Sequence, residues 1–580
     1  MSLLTLVSDK VSQAFTKAGF ANAEVLVRAS DRPELSDFQS NGALPLAKQT
    51  HANPREIATK IAKELEKDAL FSAVSVDGPG FINMKIADAE LGKLAPQFIN
   101  QDKCGYERTT PSKTVILDYC GPNIGKILHF GHLRSSNIGD AVRRIMTFAG
   151  DKTIGDAHLG DWGRPMGLVL TELKERWPDM PYFKPDYKND KGYQPPFTLS
   201  DVTEAYPIAS AKAKENPEYM EQAKIFTREL QAGNKGLRDL WKKFVGLTLS
   251  DTQDLMNLLN VHLDLWWGES TVNDTTIQMV QDLQKKGFAT MDDGALVIKQ
   301  EGDTPPAILI NSAGALMYAA TDLATLQERM KQFHPDAVLY FTDLRQGLHF
   351  SQVFASAKKT GIVPENVSLE FQPFGTVNGP DNKPYKTRDG GVPSLRSVIE
   401  TAIAAARKKM DSGEMGRDLS ESEKNDISKI VGVAALKFAD LMNDKTKNYI
   451  FDEDRIISTE GKTGPYILYA IVRMKSVLEK VGMANTNAPL TITHPAERKL
   501  ILRLLAFPTV IQAAYDARAP HIIADYLYNV AGDFNLFYHD CPIKTTTDTE
   551  RASRLALTAL TLRIATTCAD LLGLQVPEKM

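Results

Sequence analysis

The chain has 580 residues, more than one hydrophobic core supports, so several domains are expected. Its 43% hydrophobic and 24% charged residues are ordinary for a globular protein, and no run reads as the roughly 20 apolar residues of a membrane span. The formal net charge is −4, and from residue 421 onward 19 Lys plus Arg meet 19 Asp plus Glu, so no basic tract marks a nucleic-acid partner and any RNA surface must be a local patch.

In chain order, MSLLTLVSDK has neither the basic flank nor the long apolar run of a secretory signal. Residues 1 to about 105 read as a small α+β appendage. A helix runs through Phe20, a polar loop rich in Ser, Asp and Gly follows, and a second helix starts at Asn53-Pro54. Residues 72–86, SAVSVDGPGFINMKI, then read as strand, Gly-Pro-Gly turn and strand.

A central block, 106–395, opens with TVILDYC (114–120), a β-branched apolar run bounded by Gly121 and Pro122. Leu133, Ile138, Ala141, Val142, Ile145, Met146 and Ala149 recur at helical spacing, which places His129-Phe130-Gly131-His132 at a helix N-terminus. Free backbone N–H groups and the helix dipole favour an anion there. Two imidazoles add donors, and Gly131 lets a nucleotide approach the backbone. Taken alone, the tetrad reads equally well as two capping histidines. Asn123, Lys126 and Arg134 around it, and the strand-like TIGDAHLGDWG (153–163) at βαβ distance, favour a phosphate site at the strand ends of a parallel sheet. Residues 176–235, rich in Pro, Lys, Tyr and Asn, show little apolar periodicity before Glu218. They are expected to form a surface insertion, with the insertion as a whole reaching to about 260. ALVIK (295–299) and AVLYFTD (337–343) are further strands. From about 420 on, long amphipathic runs predict a helical bundle. Cys104, Cys120, Cys541 and Cys568 have no CxxC spacing, so neither a disulfide framework nor a zinc site is expected, and the reading is a cytoplasmic protein with reduced thiols.

Seven segments in order carry a family resemblance: PNIGKILHFGHLRSSNIGD (122–140), HLGDWGRPMG (158–167), GALMYAATDLA (314–324), YFTDLRQGLHFSQVF (340–354), KPYKTRDGG (383–391), GKTGPYILYA (461–470) and YLYNVAGDFNLFYHDCPI (526–543). The chain resembles class I aminoacyl-tRNA synthetases, and within them arginyl-tRNA synthetases. The resemblance implies a Rossmann-like parallel-sheet catalytic domain (106–395), an N-terminal α+β domain (1–105) touching the tRNA elbow, and an all-α C-terminal domain (396–580) reading the anticodon. It also implies a monomer, away from membranes, that uses ATP with Mg²⁺ to activate L-arginine and passes it to the terminal ribose of tRNA(Arg), with activation waiting for bound tRNA.

By resemblance, Tyr318 and Asp322 bind the guanidinium, Asn123 and Gln346 hold the α-amino end with His132 close by, and Asp118 faces the substrate. Spacing agrees, since residues four apart on a helix share a face, and a buried carboxylate with a hydroxyl selects a planar cation. His129, Gly131, His132 and Lys126 would meet the ATP phosphates. The usual Lys-Met-Ser-Lys-Ser loop is replaced by KPYKTRDGG, where Lys386 and Arg388 are the candidate cations, with Lys383 nearby. Tyr526, Tyr528, Phe534, Phe537 and Tyr538 offer aromatic faces to anticodon bases, although their helical spacing reads more readily as core. Two rivals remain. A small-metabolite nucleotidylyltransferase shares the tetrad, but the helical C-terminus and the Tyr318, Asp322 and Gln346 set speak against it. A non-catalytic RNA-binding relative is disfavoured by the intact tetrad.

Overall fold

A computed structural model describes residues 2–580 except 190–191, 380, 384, 386–392, 414, 417, 483–484 and 545–546. The chain forms two compact units: Met1–Pro111 with Ser412–Ile430 and Ser458–Met580, and Ser112–Asp411 with Val431–Ile457. The expected domain bound groups everything from 396 onward, and helical periodicity everything from about 420. Instead, 396–411 and 431–457 pack with the central block. There the buried Arg134 explains part of the attachment: Nε donates to Asp440 at 2.8 Å, and the Nη groups donate to the carbonyls of Gly375, Lys445 and Lys447.

The first unit has a four-stranded antiparallel sheet in the order Val27–Ala29, Phe38–Ser40, Phe81–Ile86, Phe71–Asp77. Leu3–Lys17 forms the first helix. The Pro54–Leu65 helix starts where Asn53 predicts, its side chain accepting from the Arg55 N–H. The stretch read as polar loop carries two three-residue strands and the helix Ala43–Thr50, elements too short for periodicity to reveal. Helices Gly464–Val481, Pro495–Leu505, Phe507–Ala517, Pro520–Asp540 and Asp548–Leu571 make the bundle. Arg498 ties it to the N-terminal part of the same unit through Asp37 and Asp88, each at 2.7 Å. One described stretch, Pro495–Ala517, is long and apolar enough to cross a membrane, which corrects the expectation that none is. It is split into two helices at Ala506, and 50% of its apolar window is buried, as in a core helix.

The second unit is built on a parallel sheet in the order Ser368–Phe374, Ala337–Asp343, Thr114–Asp118, Lys152–Asp156. From Thr114–Asp118 the chain moves outward to Lys152–Asp156, then returns to the opposite side at Ala337–Asp343. The gap between Thr114–Asp118 and Ala337–Asp343 is therefore a topological switch point, where open α/β sheets bind ligands. Ile116, Ile154 and Val338 lie on one face, in a core shared with the helices Asn273–Lys285, Tyr318–Phe333 and Gly347–Lys359. The expected surface insertion is a helical subdomain, Leu199–Glu215, Pro217–Gln231 and Lys235–Leu258, with its own core around Phe197, Val202, Phe226, Leu230, Leu240 and Phe244. Its first helix escaped prediction because its buried stripe, Val202, Ala205, Ala209 and Ala213, is mostly alanine.

Candidate active site

The tetrad helix runs Phe130–Ala149, with His129 as its N-cap. The two imidazoles close the first turn on themselves. The Gly131 N–H donates to His129 Nδ1 at 3.0 Å, and the His129 N–H donates to His132 Nδ1 at 3.1 Å. Because both Nδ1 atoms accept, each ring carries its proton on Nε2 and keeps that donor for a ligand. Burial, then His129 and Lys126, pushes the His132 pKa down to about 3; burial, Lys126 and Arg345 lower that of His129. At neutral pH both rings are uncharged donors. Gly131 has no room for a side chain, since a Cβ would sit 2.9 Å from His129 Cε1.

The turn before the tetrad is held by the HLGDWG loop: the Ile124 N–H donates to the Gly160 carbonyl, and the Gly160 N–H to that of Pro122, each at 3.0 Å. The carboxyl ends of the strands, this turn and the tetrad then enclose a cleft of about 440 Å³. Asp118, Asn123, Lys126, His129, Gly131, His132, Asp322 and Gln346 all line it. Tyr318 does not. It is exposed at the first position of the helix Tyr318–Phe333 and lines an adjoining cavity of about 360 Å³ with Glu269 and Thr321; Asn123 borders both cavities. Lys126 extends its ammonium 5.0 Å above the Tyr206 ring of the helical insertion. Lys386 and Arg388 lie outside the described residues. Just before them Tyr385 packs edge-on against Phe130 of the tetrad and Phe451, at 5.2 Å each, and its hydroxyl donates to Glu453.

The electrostatics add residues the sequence reading missed. Asp322 Oδ2 accepts from His349 Nε2 at 2.6 Å. Glu269, beside Tyr318, has its pKa raised to about 8, first by burial and then by Asp322 and Asp161. Burial, followed by Glu269, also raises the phenol of Tyr318. Acids thus crowd the rim where a cation was expected. His349 belongs to the DLRQGLHF segment and could have been flagged with it. Glu269, a lone acid at the first position of a one-turn helix, carried no local signal.

Profiles described as "tRNA synthetases class I (R), catalytic domain", "Arginyl tRNA synthetase N terminal domain" and "DALR anticodon binding domain" match residues 95–453, 2–86 and 467–580. The chain belongs to the arginyl-tRNA synthetase family. It is 42% identical to the arginine–tRNA ligase of Agathobacter rectalis, over 100% of both chains, and 41% identical to that of Maricaulis maris, over 99% of this chain and 100% of the relative. Two solved structures share the fold. The arginyl-tRNA synthetase of Plasmodium falciparum has 24% identity and a TM-score of 0.83, covering 100% of this chain and 99% of its own; that of Thermus thermophilus has 23% and 0.79, covering 100% of each.

In the C-terminal helices Phe534 and Phe537 are fully buried and Tyr526 nearly so, and they serve as core. Tyr538 is different. It lines a cavity of about 550 Å³ with Tyr469, Arg473, Lys480 and Lys544, and the Arg473 guanidinium sits 4.7 Å from the Tyr469 ring and 5.8 Å from the Tyr538 ring.

Proposed function

We propose that this chain is an arginine–tRNA ligase: it activates L-arginine with ATP and transfers it to the 3′-terminal ribose of tRNA(Arg). The observation that carries the reading is the pairing of an anion-seeking helix start with an acidic rim in two cavities that both border Asn123. The helix dipole and the two neutral imidazole Nε2–H donors at the tetrad suit triphosphate oxygens, because these donors can follow charge onto the α-phosphate without the reorganisation water would need, while the Gly131 and His129 N–H groups hold the rings in place. Asp322 in the same cleft, with Glu269 and the Tyr318 hydroxyl in the cavity across Asn123, suits a guanidinium, and Gln346, Asn123 and Asp118 remain for the α-amino end.

In this scheme the arginine carboxylate attacks the α-phosphate in line, pyrophosphate leaves, and a ribose hydroxyl, the 2′ by class, then displaces AMP from the mixed anhydride. His129, His132 and Lys126 steady the developing charge, and Lys386 and Arg388 are assigned to the same charge. Among the described residues no three His, Cys, Asp or Glu side chains converge on a metal site. Mg²⁺ would thus arrive on triphosphate oxygens rather than in a protein cage, and the steps assigned to these side chains do not run through it. The N-terminal sheet domain is assigned to the tRNA elbow. The Tyr469–Arg473–Tyr538 cavity is assigned to a splayed anticodon base, which stacking and a guanidinium together accommodate. Translation makes the cytoplasm the proposed compartment.

The test is pyrophosphate exchange with each amino acid, with and without tRNA. Arginine-dependent exchange that requires tRNA is the expected result. Exchange without any amino acid favours a metabolite nucleotidylyltransferase, and none at all favours a non-catalytic relative.

A further inference from the structure

Asp118 and Asp156 are direct neighbours at the carboxyl ends of adjacent strands, and Tyr340 faces Asp118 from the strand on its other side. Side chains alternate along strands, so all three project to the same face as Ile116, Ile154 and Val338, the face covered by the helix Tyr318–Phe333. Carboxylates placed this way repel. Arg329 of that helix, itself fully buried, sits between them: one Nη donates to Asp118 Oδ2 at 2.6 Å and Asp156 Oδ2 at 2.5 Å, the other to the Tyr340 hydroxyl at 3.0 Å. The two acids are not equivalent. Asp156 is sealed from solvent, whereas the Asp118 side chain is 16% exposed on the cleft wall, and its Oδ1 has no partner among the described residues. Arg329 also follows Asp322 by seven residues, two turns along the same helical face. A single helix therefore carries the acid offered to the substrate's side chain and the guanidinium that fixes the acid at its other end.

We propose that Arg329 is a positioning residue that sets the α-amino end of the amino-acid site by fixing the Asp118 carboxylate at a defined distance from Asp322. The role rests on the arginine-activating reading above. Burial pushes the Asp118 pKa up and Arg329 is the largest opposing influence, with Asp156 raising it and His158 lowering it. Without the guanidinium, Asp118 and Asp156 would share a proton, and the acid facing the cleft would attract an ammonium poorly.

The test compares L-arginine with 5-guanidinopentanoic acid, which lacks only the α-amino group, as ligands in tRNA-dependent pyrophosphate exchange. Arg329→Met combined with Asp156→Asn removes the cation together with the sealed acid that would otherwise be left buried and unpaired. The preference for arginine over the analogue is expected to fall about tenfold while the KM for ATP stays within about twofold. Equal weakening of both ligands means Arg329 only supports the fold, and overturns the proposal. If the double variant does not fold by circular dichroism, Arg329→Lys decides. It keeps the charge without the fork, the same preference should fall roughly threefold or more, and an unchanged preference overturns the proposal. Parent protein without arginine-dependent exchange defeats the activity reading and this inference with it; an active parent with unchanged variant preference defeats this inference alone.

Discussion

Binding of arginine should expel a proton, and Glu269 is its source. With its pKa raised to about 8 by burial, Asp322 and Asp161, Glu269 is roughly 90% protonated at pH 7. A guanidinium placed about 4 Å away, at an effective dielectric near 20, favours the carboxylate by roughly 4 kcal/mol, or about three pKa units, which brings the bound value to about 5. Binding at pH 7 then releases roughly 0.9 proton, and affinity rises roughly 50-fold between pH 6 and pH 8. Titration calorimetry in two buffers of different ionisation enthalpy reads the release directly. Glu269→Gln should abolish it and flatten the pH dependence, which also separates Glu269 from the neighbouring Asp322–His349 pair. No buffer-dependent heat in the parent, or the same release in the Gln variant, refutes the argument. Stability follows the same linkage. Between the ordinary 4.5 and about 8 the folded chain holds a proton that the unfolded chain has lost, so this contribution is complete below 4.5 and is lost as pH rises through 8. Glu269→Gln should therefore make urea stability decline less over that window.

Asp322→Asn keeps shape but removes the charge opposite the guanidinium; kcat/KM for arginine should fall about 100-fold or more with the KM for ATP nearly unchanged, checked by exchange kinetics. Gly131→Ala pushes a methyl into the His129 ring, 2.9 Å away, so kcat should drop by roughly 10-fold or more while the KM for arginine barely moves. Asp440→Ala strands the buried Arg134 guanidinium and should cost about 3–5 kcal/mol in urea unfolding followed by fluorescence.

Where local rules decide structure, the sequence was readable. The tetrad fell at a helix start because His129 can cap only there, Asn53 marked its helix for the same reason, and AVLYFTD is strand from Ala337 to Asp343 as its β-branched and aromatic run implies. What tertiary neighbours decide was not readable. Arg329 looks like any solvated helix arginine until three strand ends converge on it, and Glu269 becomes notable only when Asp322 and Asp161 are brought beside it. Tyr318 and Asp322 share a helix face as their spacing requires. Spacing could not tell that they would line different cavities joined at Asn123.

Among the helix starts that border these two cavities are those of the tetrad helix and of Tyr318–Phe333, and each presents a positive dipole end. The tetrad helix has no acid in its first turn, so its field is left to draw phosphate, with the imidazoles kept neutral as extra donors rather than extra charges. At the start of Tyr318–Phe333 the same field would repel a guanidinium. This helix also has no acid in its first turn; Asp322, one turn in, and Glu269 once ionised by a bound cation offset the field there, and Tyr318 contributes a hydroxyl without adding charge. On the proposed reading, neighbouring polypeptide ends of one kind serve ligands of opposite charge, and the placement of two carboxylates makes the difference. Replacing both at once, Asp322→Asn with Glu269→Gln, should therefore leave the ATP side intact while the amino-acid side loses its preference for a cation.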